Sequence, residues 1–506
     1  MTAGASVFAN DANGGNDANG GESSALFADY YSLSMAQGYW AQNPDRRAAF
    51  EFFFRRQPFG GGYAIFAGLE TLLEKLSALR FSESDLEYLE SLGPFGAGFL
   101  NSLRGFRFSG SLWAADEGAV VFPHEPVARV EGTLVECQII EGLLLNALNF
   151  QSLVATKARR IWHASGGGAV MEFGLRRAQG PDGAMSASRA AYIGGARATS
   201  NALAGKTYGI PVAGTMAHSW IMSFASEEEA FDAYARLYPD NCVFLVDTYN
   251  TLKSGAPSAI ASGKKLAAQG KNFSLRLDSG DFHYLSAEVR RMLDEAGLPR
   301  AQITVSGDLD ESIIHTLVSA GAPVDSWGVG TNLVTGGNCA AFAGVYKMAA
   351  CEIAPGKFSP VMKFSDNQEK TTNPGVKQVW RMRDGRGHAV ADVLALDSPG
   401  ESETFEPGRR YRFSHPAADY RHFFHAPEAP PEPLLKPRVR SGEAVSPRPA
   451  LAAIREKSLA DFATFDQTYK RLLNPHVYKV SITEKLRKLK LDLIGRHFGS
   501  LNEDEG

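Results

Sequence analysis

The sequence predicts an α/β fold in which βα units assemble a parallel sheet or barrel, with an α+β N-terminal domain before it and a C-terminal extension after it. Three observations carry that prediction. Between about residues 135 and 350, short apolar runs alternate with helix-like stretches, at 169–173, 212–214, 243–246, 273–277, 303–305 and 326–329. Polar residues and glycines crowd just after these runs, where the loops of a barrel build its active site. The length of 506 residues also exceeds what one ordinary core organises, so other domains must flank the series.

In chain order, residues 1–24 are rich in Gly, Ala, Asn and Asp and repeat Asn-Asp-Ala-Asn-Gly-Gly at 10–15 and 16–21. Such a composition buries too little apolar surface to offset ordering entropy, and a flexible tail is expected. It has neither the basic start nor the continuous apolar core of a signal peptide. A helix is expected from near Leu26, with Leu33, Met35 and Tyr39 spaced toward a core. Residues 48–55 (AAFEFFFR) read as a strand, and Pro58 with the glycines at 60–62 as a turn. Helical periodicity at 67–79 and 83–92 and β-like runs at 120–123 and 127–132 complete a domain over 25–134.

The barrel is expected over 135–350 and a C-terminal region over 351–506. Residues 426–449 hold seven prolines and read as an extended surface connection. Two helices follow, over 451–473 and 483–496; the second puts Leu486, Leu489 and Ile494 on one face for packing against its own domain.

Hydrophobic content of 44% and charged content of 21% are those of a soluble globular protein. A net charge of -4 lacks the basic excess of a nucleic-acid binder, and no apolar run has the length of a membrane span. The four cysteines have no metal-like spacing and read as reduced thiols of a cytoplasmic protein.

Six segments at strand ends carry chemistry. Glu172-Phe-Gly-Leu-Arg-Arg-Ala-Gln-Gly-Pro-Asp-Gly183 offers two arginines for a carboxylate or phosphate, or alternatively a structural ion pair with Glu172. In Gly214-Thr-Met-Ala-His-Ser-Trp220, His218 is a base or a nucleophile toward phosphorus if it faces a cleft, and otherwise an ordinary packed histidine. Phe244-Leu-Val-Asp-Thr-Tyr-Asn250 puts Asp247 at a strand end. In Leu275-Arg-Leu-Asp-Ser-Gly-Asp281, the two-residue strand period sets Arg276 and Asp278 on one face. A carboxylate there suits ribose hydroxyls or magnesium, whereas Asp281 suits a helix cap. Ser306-Gly-Asp-Leu-Asp310 and Gly328-Val-Gly-Thr-Asn-Leu-Val-Thr335 are glycine turns able to present backbone N–H groups to phosphate.

In order, these segments resemble the nicotinate phosphoribosyltransferase family over about residues 26 to 380. The resembling pieces include Asp29-Tyr-Tyr-Ser-Leu-Ser-Met-Ala-Gln-Gly-Tyr-Trp40, Phe53-Phe-Arg-Arg-Gln-Pro-Phe59, Gly344-Val-Tyr-Lys347 and Val361-Met-Lys363. The resemblance implies an irregular α/β barrel, a C-terminal region (351–506) packing on the N-terminal domain, and a head-to-tail homodimer with shared active sites. The implied reaction joins nicotinate to phosphoribosyl pyrophosphate with Mg2+ present and ATP hydrolysed, the first step of NAD salvage from nicotinate.

Residue roles follow by the same resemblance. Asp278 is expected beside the ribose or on magnesium, Arg276 at the nicotinate carboxylate with Arg176 nearby, and Ser219 in contact with substrate. Tyr31 and Phe173 would sandwich the pyridine ring, with Asp29 and Tyr31 supplied by the partner subunit. Asn201 stands where the related nicotinamide enzymes place an aspartate, and its amide would donate to the carboxylate. Gly307, Asp308, Gly328, Gly330, Thr331, Lys347, Lys363 and Lys377 are expected at phosphates. His218 is expected to be phosphorylated from ATP. Other readings stay open on the sequence: transfer to nicotinamide or quinolinate, a Schiff-base barrel lyase or aldolase, or a non-catalytic barrel scaffold.

Overall fold

The computed structural model describes residues 23–365, 370–397, 403–416 and 418–503. Most of the expected flexible tail lies outside the described residues; its last two, Ser23–Ser24, pair as a short parallel strand with Leu79–Arg80. Helix α1 (Tyr30–Gln42) buries Leu33 and Ala36 but leaves Met35 exposed, which corrects the expected core face. The reason is geometric: Met35 stands two residues from Leu33, about 200° round the helix.

Strand β1 (Arg47–Phe54) follows, then α2 (Leu69–Ser77), α3 (Glu83–Ser91), β2 (Ser111–Ala114) and β3 (Ala128–Thr133). These strands belong to a seven-stranded sheet that also takes Gly344–Ala354 and Lys357–Pro360 beside β1, and Lys436–Arg440 and Glu443–Ala444 beside β2. Part of the proline-rich stretch expected as a surface connection is therefore a sheet strand. It tolerates Pro437 because the register shifts between Pro437 and Val439, so the missing N–H falls at an irregularity in the ladder. Helix α4 (Glu141–Ala164) joins this half to the next. Leu143, Leu144 and Leu148 enter the N-terminal core, while Val154, Ala155, Ala158 and Ile161 enter the second core.

That second core belongs to a parallel half-barrel. Its elements are β4 (Ala169–Glu172), α5 (Gly180–Gly194), β5 (Ala198–Thr199), α6 (Ala202–Tyr208), α7 (His218–Met222), β6 (Cys242–Leu245), β7 (Phe273–Leu277), α8 (Phe282–Glu295), β8 (Gln302–Ser306), α9 (Glu311–Ser319) and β9 (Ser326–Val329). The strand order is β6-β7-β8-β9-β4-β5, with every pair parallel. In β7 the buried Phe273, Leu275 and Leu277 alternate with the half-buried Ser274 and Arg276, so one face enters the core and the other is left for the site. The expected strand at 212–214 is reduced to one bridge between Val212 and Thr199. Pro211 brings no N–H to the ladder there, and the edge position falls to β5.

The C-terminal region, read from sequence as turn-rich, builds a further six-stranded sheet. Its order is Ala418–His425, Tyr411–His415, Val480–Thr483, Ala389–Leu396, Lys377–Arg383 and Glu432–Pro433. The first expected terminal helix ends at Ala463 and resumes as a turn at Gln467–Lys470; the second runs Glu484–Glu503 and buries Leu486. Among the described residues no helix is long and apolar enough to cross a membrane.

Candidate active site

The site is built where β7 ends. Arg276 and Asp278 point the same way, and Arg276 Nη2 donates to Asp278 Oδ1 at 2.6 Å. Strand β8 lies alongside in parallel register, which brings Ser306 next to Asp278. Ser306 Oγ donates to Asp278 Oδ1 at 2.5 Å and accepts from Arg276 Nε at 2.7 Å. Arg276 Nη1 reaches Thr215 Oγ1 at 2.8 Å, so the guanidinium is held on three sides. Burial pushes the Asp278 carboxyl up, but the Ser306 hydrogen bond and the Arg276 charge outweigh it and hold it below the usual aspartate range.

Two neighbours complete the constellation. His218 opens α7, its side chain 42% exposed, with Nε2 3.9 Å from Asp278 Oδ2 and Nδ1 3.2 Å from Thr248 Oγ1. Asp247 follows β6, and its Oδ2 accepts the Asp278 backbone N–H at 3.3 Å and the Ser279 hydroxyl at 2.5 Å. Its Oδ1 is buried without a hydrogen-bond partner among the described residues. Asp281 caps α8 by accepting from the Tyr284 N–H, as its spacing predicts.

Glycines set the walls. Gly307 has φ +94, and a Cβ there would lie 2.2 Å from the Asp278 carbonyl oxygen, so only glycine lets this turn press against the end of β7. Asp308 follows in the left-handed region at φ +43, and its carbonyl accepts from Asn332 Nδ2 at 3.3 Å. A Cβ at Gly328 would meet the Phe173 ring at 2.6 Å. Phe173 is nearly buried, with the Arg276 guanidinium carbon 5.7 Å from its ring centroid. Gly330 precedes the short helix Thr331–Val334 and sits against the Phe173 backbone.

The structure thus gathers His218, Arg276, Asp278, Phe173, Gly307, Asp308, Gly328, Gly330 and Thr331 at one end of the half-barrel. Ser219 stands exposed beside His218, and Arg176 is exposed on a short 3-10 turn, Leu175–Arg177. Ser306 and Thr215 went unassigned in the sequence reading; the register of β7 against β8 is the signal that finds Ser306.

Other expectations are corrected. Asn201 is 2% exposed; its Oδ1 caps α6 through the Ala204 N–H, and its Nδ2 faces Ser188 Oγ and the Met185 sulfur. Its amide is thus engaged inside the fold. Lys377 is 1% exposed, pairs with Glu51 at 3.0 Å and donates to the Asn373 and Gly375 carbonyls, so it holds structure and no phosphate. The alternative ion pair between Glu172 and its neighbouring arginines does not form.

Asp29, Tyr31, Lys347 and Lys363 lie with the N-terminal half. Lys347 sits on the strand Gly344–Ala354 opposite Glu51. Burial holds its ammonium below the ordinary lysine range, opposed by Glu141 and reinforced by Arg55 and Lys363. Tyr31 is half-exposed at the start of α1, where burial and the Glu141 charge push its hydroxyl up. Glu141 thus lies near both Tyr31 and Lys347, and Arg55 and Lys363 lie near Lys347.

A parallel half-barrel whose strand ends set an ionised aspartate against a fixed guanidinium, flanked by glycine turns, defines an enzyme for an anionic, hydroxyl-bearing substrate. The chain matches the nicotinate phosphoribosyltransferase (NAPRTase) N-terminal domain over residues 26–149, the nicotinate phosphoribosyltransferase (NAPRTase) family over 169–384, and the nicotinate phosphoribosyltransferase C-terminal domain over 376–490. It is 41% identical over 475 residues to the nicotinate phosphoribosyltransferase of Bacillus subtilis (strain 168), covering 94% of this chain and 96% of that one. It is 33% identical over 523 residues to the human enzyme of that name, covering 92% and 95%. The crystal structure of human nicotinic acid phosphoribosyltransferase superposes with a TM-score of 0.80 at 30% identity, over 92% of this chain and 99% of that one. A nicotinate-nucleotide pyrophosphorylase from Pyrococcus furiosus, at 24% identity and a TM-score of 0.67 over 87% of this chain and 95% of that one, shares the fold. The chain belongs to the nicotinate phosphoribosyltransferase family.

Proposed function

We propose that this chain joins nicotinate to phosphoribosyl pyrophosphate, giving nicotinate mononucleotide and pyrophosphate, as the first step in building NAD from nicotinate. The observation that carries the reading is Asp278, kept ionised by Ser306 and Arg276 at the mouth of the half-barrel. Breaking the bond from ribose C1 to pyrophosphate develops positive charge on the sugar, and a fixed carboxylate stabilises that charge without reorganising. The attacking pyridine nitrogen carries no proton, so no general base is needed. The protein's task is to align ring and sugar, with Phe173 beneath the ring and Arg276 toward its carboxylate.

Pyrophosphate needs positive charge as it leaves. Among the described residues no group of three or more His, Cys, Asp or Glu forms a metal cage. Magnesium is commonly held by one or two carboxylates together with substrate phosphates, and Asp278 with the unpartnered Asp247 Oδ1 fits that need. Bound there, the ion would neutralise charge on the departing phosphates.

His218 is the site for an ATP-coupled step: its exposed imidazole nitrogen takes the γ-phosphoryl group as the bond to ADP breaks, and water later releases phosphate. Support comes from its position beside Asp278 and Thr248. In a head-to-tail homodimer, Tyr31 and Lys347, with Arg55 and Lys363 near Lys347, would complete the partner's site. Large apolar side chains exposed on the short helices and turns after the barrel strands (Leu175, Leu203, Met222 and Tyr249) and near the chain start (Phe27, Tyr30, Tyr31 and Met35) suit that contact.

The test is turnover with phosphoribosyl pyrophosphate and magnesium, comparing nicotinate, nicotinamide and quinolinate, each with and without ATP. Product from nicotinate, stimulated by ATP with release of ADP, is expected. Turnover of another base instead would overturn the choice of substrate, and none with any base would favour a scaffold.

A further inference from the structure

Glu172 ends β4 at the barrel mouth and is wholly buried. Its Oε1 accepts the Gly174 N–H; its Oε2 accepts the hydroxyls of Ser188 at 2.8 Å and Thr199 at 2.5 Å. Its backbone carbonyl takes the Ser200 N–H at 2.8 Å. Thr199 Oγ1 in turn accepts the Asn201 N–H at 3.0 Å, and Asn201 Nδ2 points to Ser188 Oγ at 3.3 Å. One carboxylate therefore ties together the end of β4, the middle of α5, the end of β5 and the cap of α6. No Lys, Arg or His of the described residues forms an ion pair with it.

Phe173 lies between the two tied residues. With Glu172 and the Gly174 N–H held, the Phe173 backbone is restrained on both sides; its ring lies against Gly328, with the Arg276 guanidinium carbon 5.7 Å from its centroid. Glu172 accepts three hydrogen bonds, whereas an amide with its nitrogen at Oε2 would force the Ser188 and Thr199 hydroxyls to reverse their roles, so the tie depends on the carboxyl group. We propose that Glu172 is the positioning residue for the base: through Gly174, Ser188 and Thr199 it sets the Phe173 ring against which the pyridine stacks, and it sets Asn201 behind it. Base selection then acts through this buried network and needs no direct contact from Asn201. The inference rests on the phosphoribosyl transfer proposed above.

Glu172→Gln tests it without emptying the site. The glutamine is isosteric, and the Ser188 and Thr199 hydroxyls can rotate to accept from its NH2 group. The protein is expected to fold with a Tm close to that of the parent. The Michaelis constant for nicotinate is expected to rise roughly tenfold, the size of one lost hydrogen bond. The constant for phosphoribosyl pyrophosphate should stay within about twofold, because no phosphate-side group belongs to the network. Thr199→Val should reproduce the nicotinate defect, Thr199→Ser should restore it, and the Glu172→Gln, Thr199→Val double variant should be less than additive. An unchanged nicotinate constant, or both constants rising together with a lowered Tm, would reduce Glu172 to a structural tie. Turnover by the unaltered protein decides the underlying reaction separately: if another pyridine base is used, the same split is read with that base, and no turnover at all overturns both.

Discussion

Asp278 presents its two carboxylate oxygens to different partners: Oδ1 is taken by Arg276 and Ser306, while Oδ2 faces His218 Nε2 at 3.9 Å. The same group is thereby locked in orientation on one side and left available on the other. Asp278→Asn keeps the shape and removes the charge, and kcat is expected to fall by about 10²–10³, the usual loss for one preorganised electrostatic contact. Steady-state kinetics with nicotinate and phosphoribosyl pyrophosphate measure it; a fall of less than tenfold would remove Asp278 from the chemical step.

The acid limit of activity is expected to follow Asp278, whose carboxyl is held below the usual aspartate range. A carboxylate lowered in the folded state is ionised throughout the range above its ordinary value of 3.8, and loses its charge only as pH falls through the lower folded value. Titration of Asp278 therefore leaves activity unaffected above that ordinary value. Arg276→Gln withdraws the guanidinium's charge and its hydrogen bond, two of the influences that lower it, so the acid limb of kcat/KM is expected to move to higher pH. A limb at the same pH in both proteins would mean that another group controls it.

His218→Ala separates transfer from its ATP coupling. Slow formation of nicotinate mononucleotide should persist, while stimulation by ATP and release of ADP should vanish. Normal stimulation of this variant would exclude His218 as the phosphoryl acceptor.

Gly307 and Lys377 give a contrast between site and scaffold. Gly307→Ala forces a methyl group toward the Asp278 carbonyl at a positive φ and should raise the Michaelis constant for phosphoribosyl pyrophosphate, with backbone strain costing about 1–3 kcal/mol. Lys377→Met strands the buried Glu51 carboxylate and should cost about 3–5 kcal/mol of stability, read by denaturant unfolding. The folded fraction of that variant should keep an unaltered kcat. A large kcat loss there would return Lys377 to the catalytic machinery.

Mixing variants tests the shared site. Tyr31→Ala and Asp278→Asn proteins, each weak alone, should regain activity when unfolded and refolded together, because a mixed dimer contains one intact site. No recovery would assign Tyr31 and Asp278 to the same subunit's site, or to none.

Local pattern alone determined a good deal of this protein. The βα rhythm, the two-residue period that sets Arg276 and Asp278 on one face, the cap at Asp281 and the glycines after late strands are all short-range signals, legible because strand alternation and turn chemistry act over a few residues. Tertiary structure decided the rest through contacts distant in sequence. Ser306 reaches Asp278 only because β7 and β8 pair in parallel register, and His218 meets it only because α7 folds over the end of β7. Lys377 and Asn201 look like ligands in the sequence, yet burial commits their polar groups to Glu51 and to the α6 cap. The proline-bearing strand Lys436–Arg440 is illegible for the same reason: a strand stabilised by a partner hundreds of residues away carries little of its own signal.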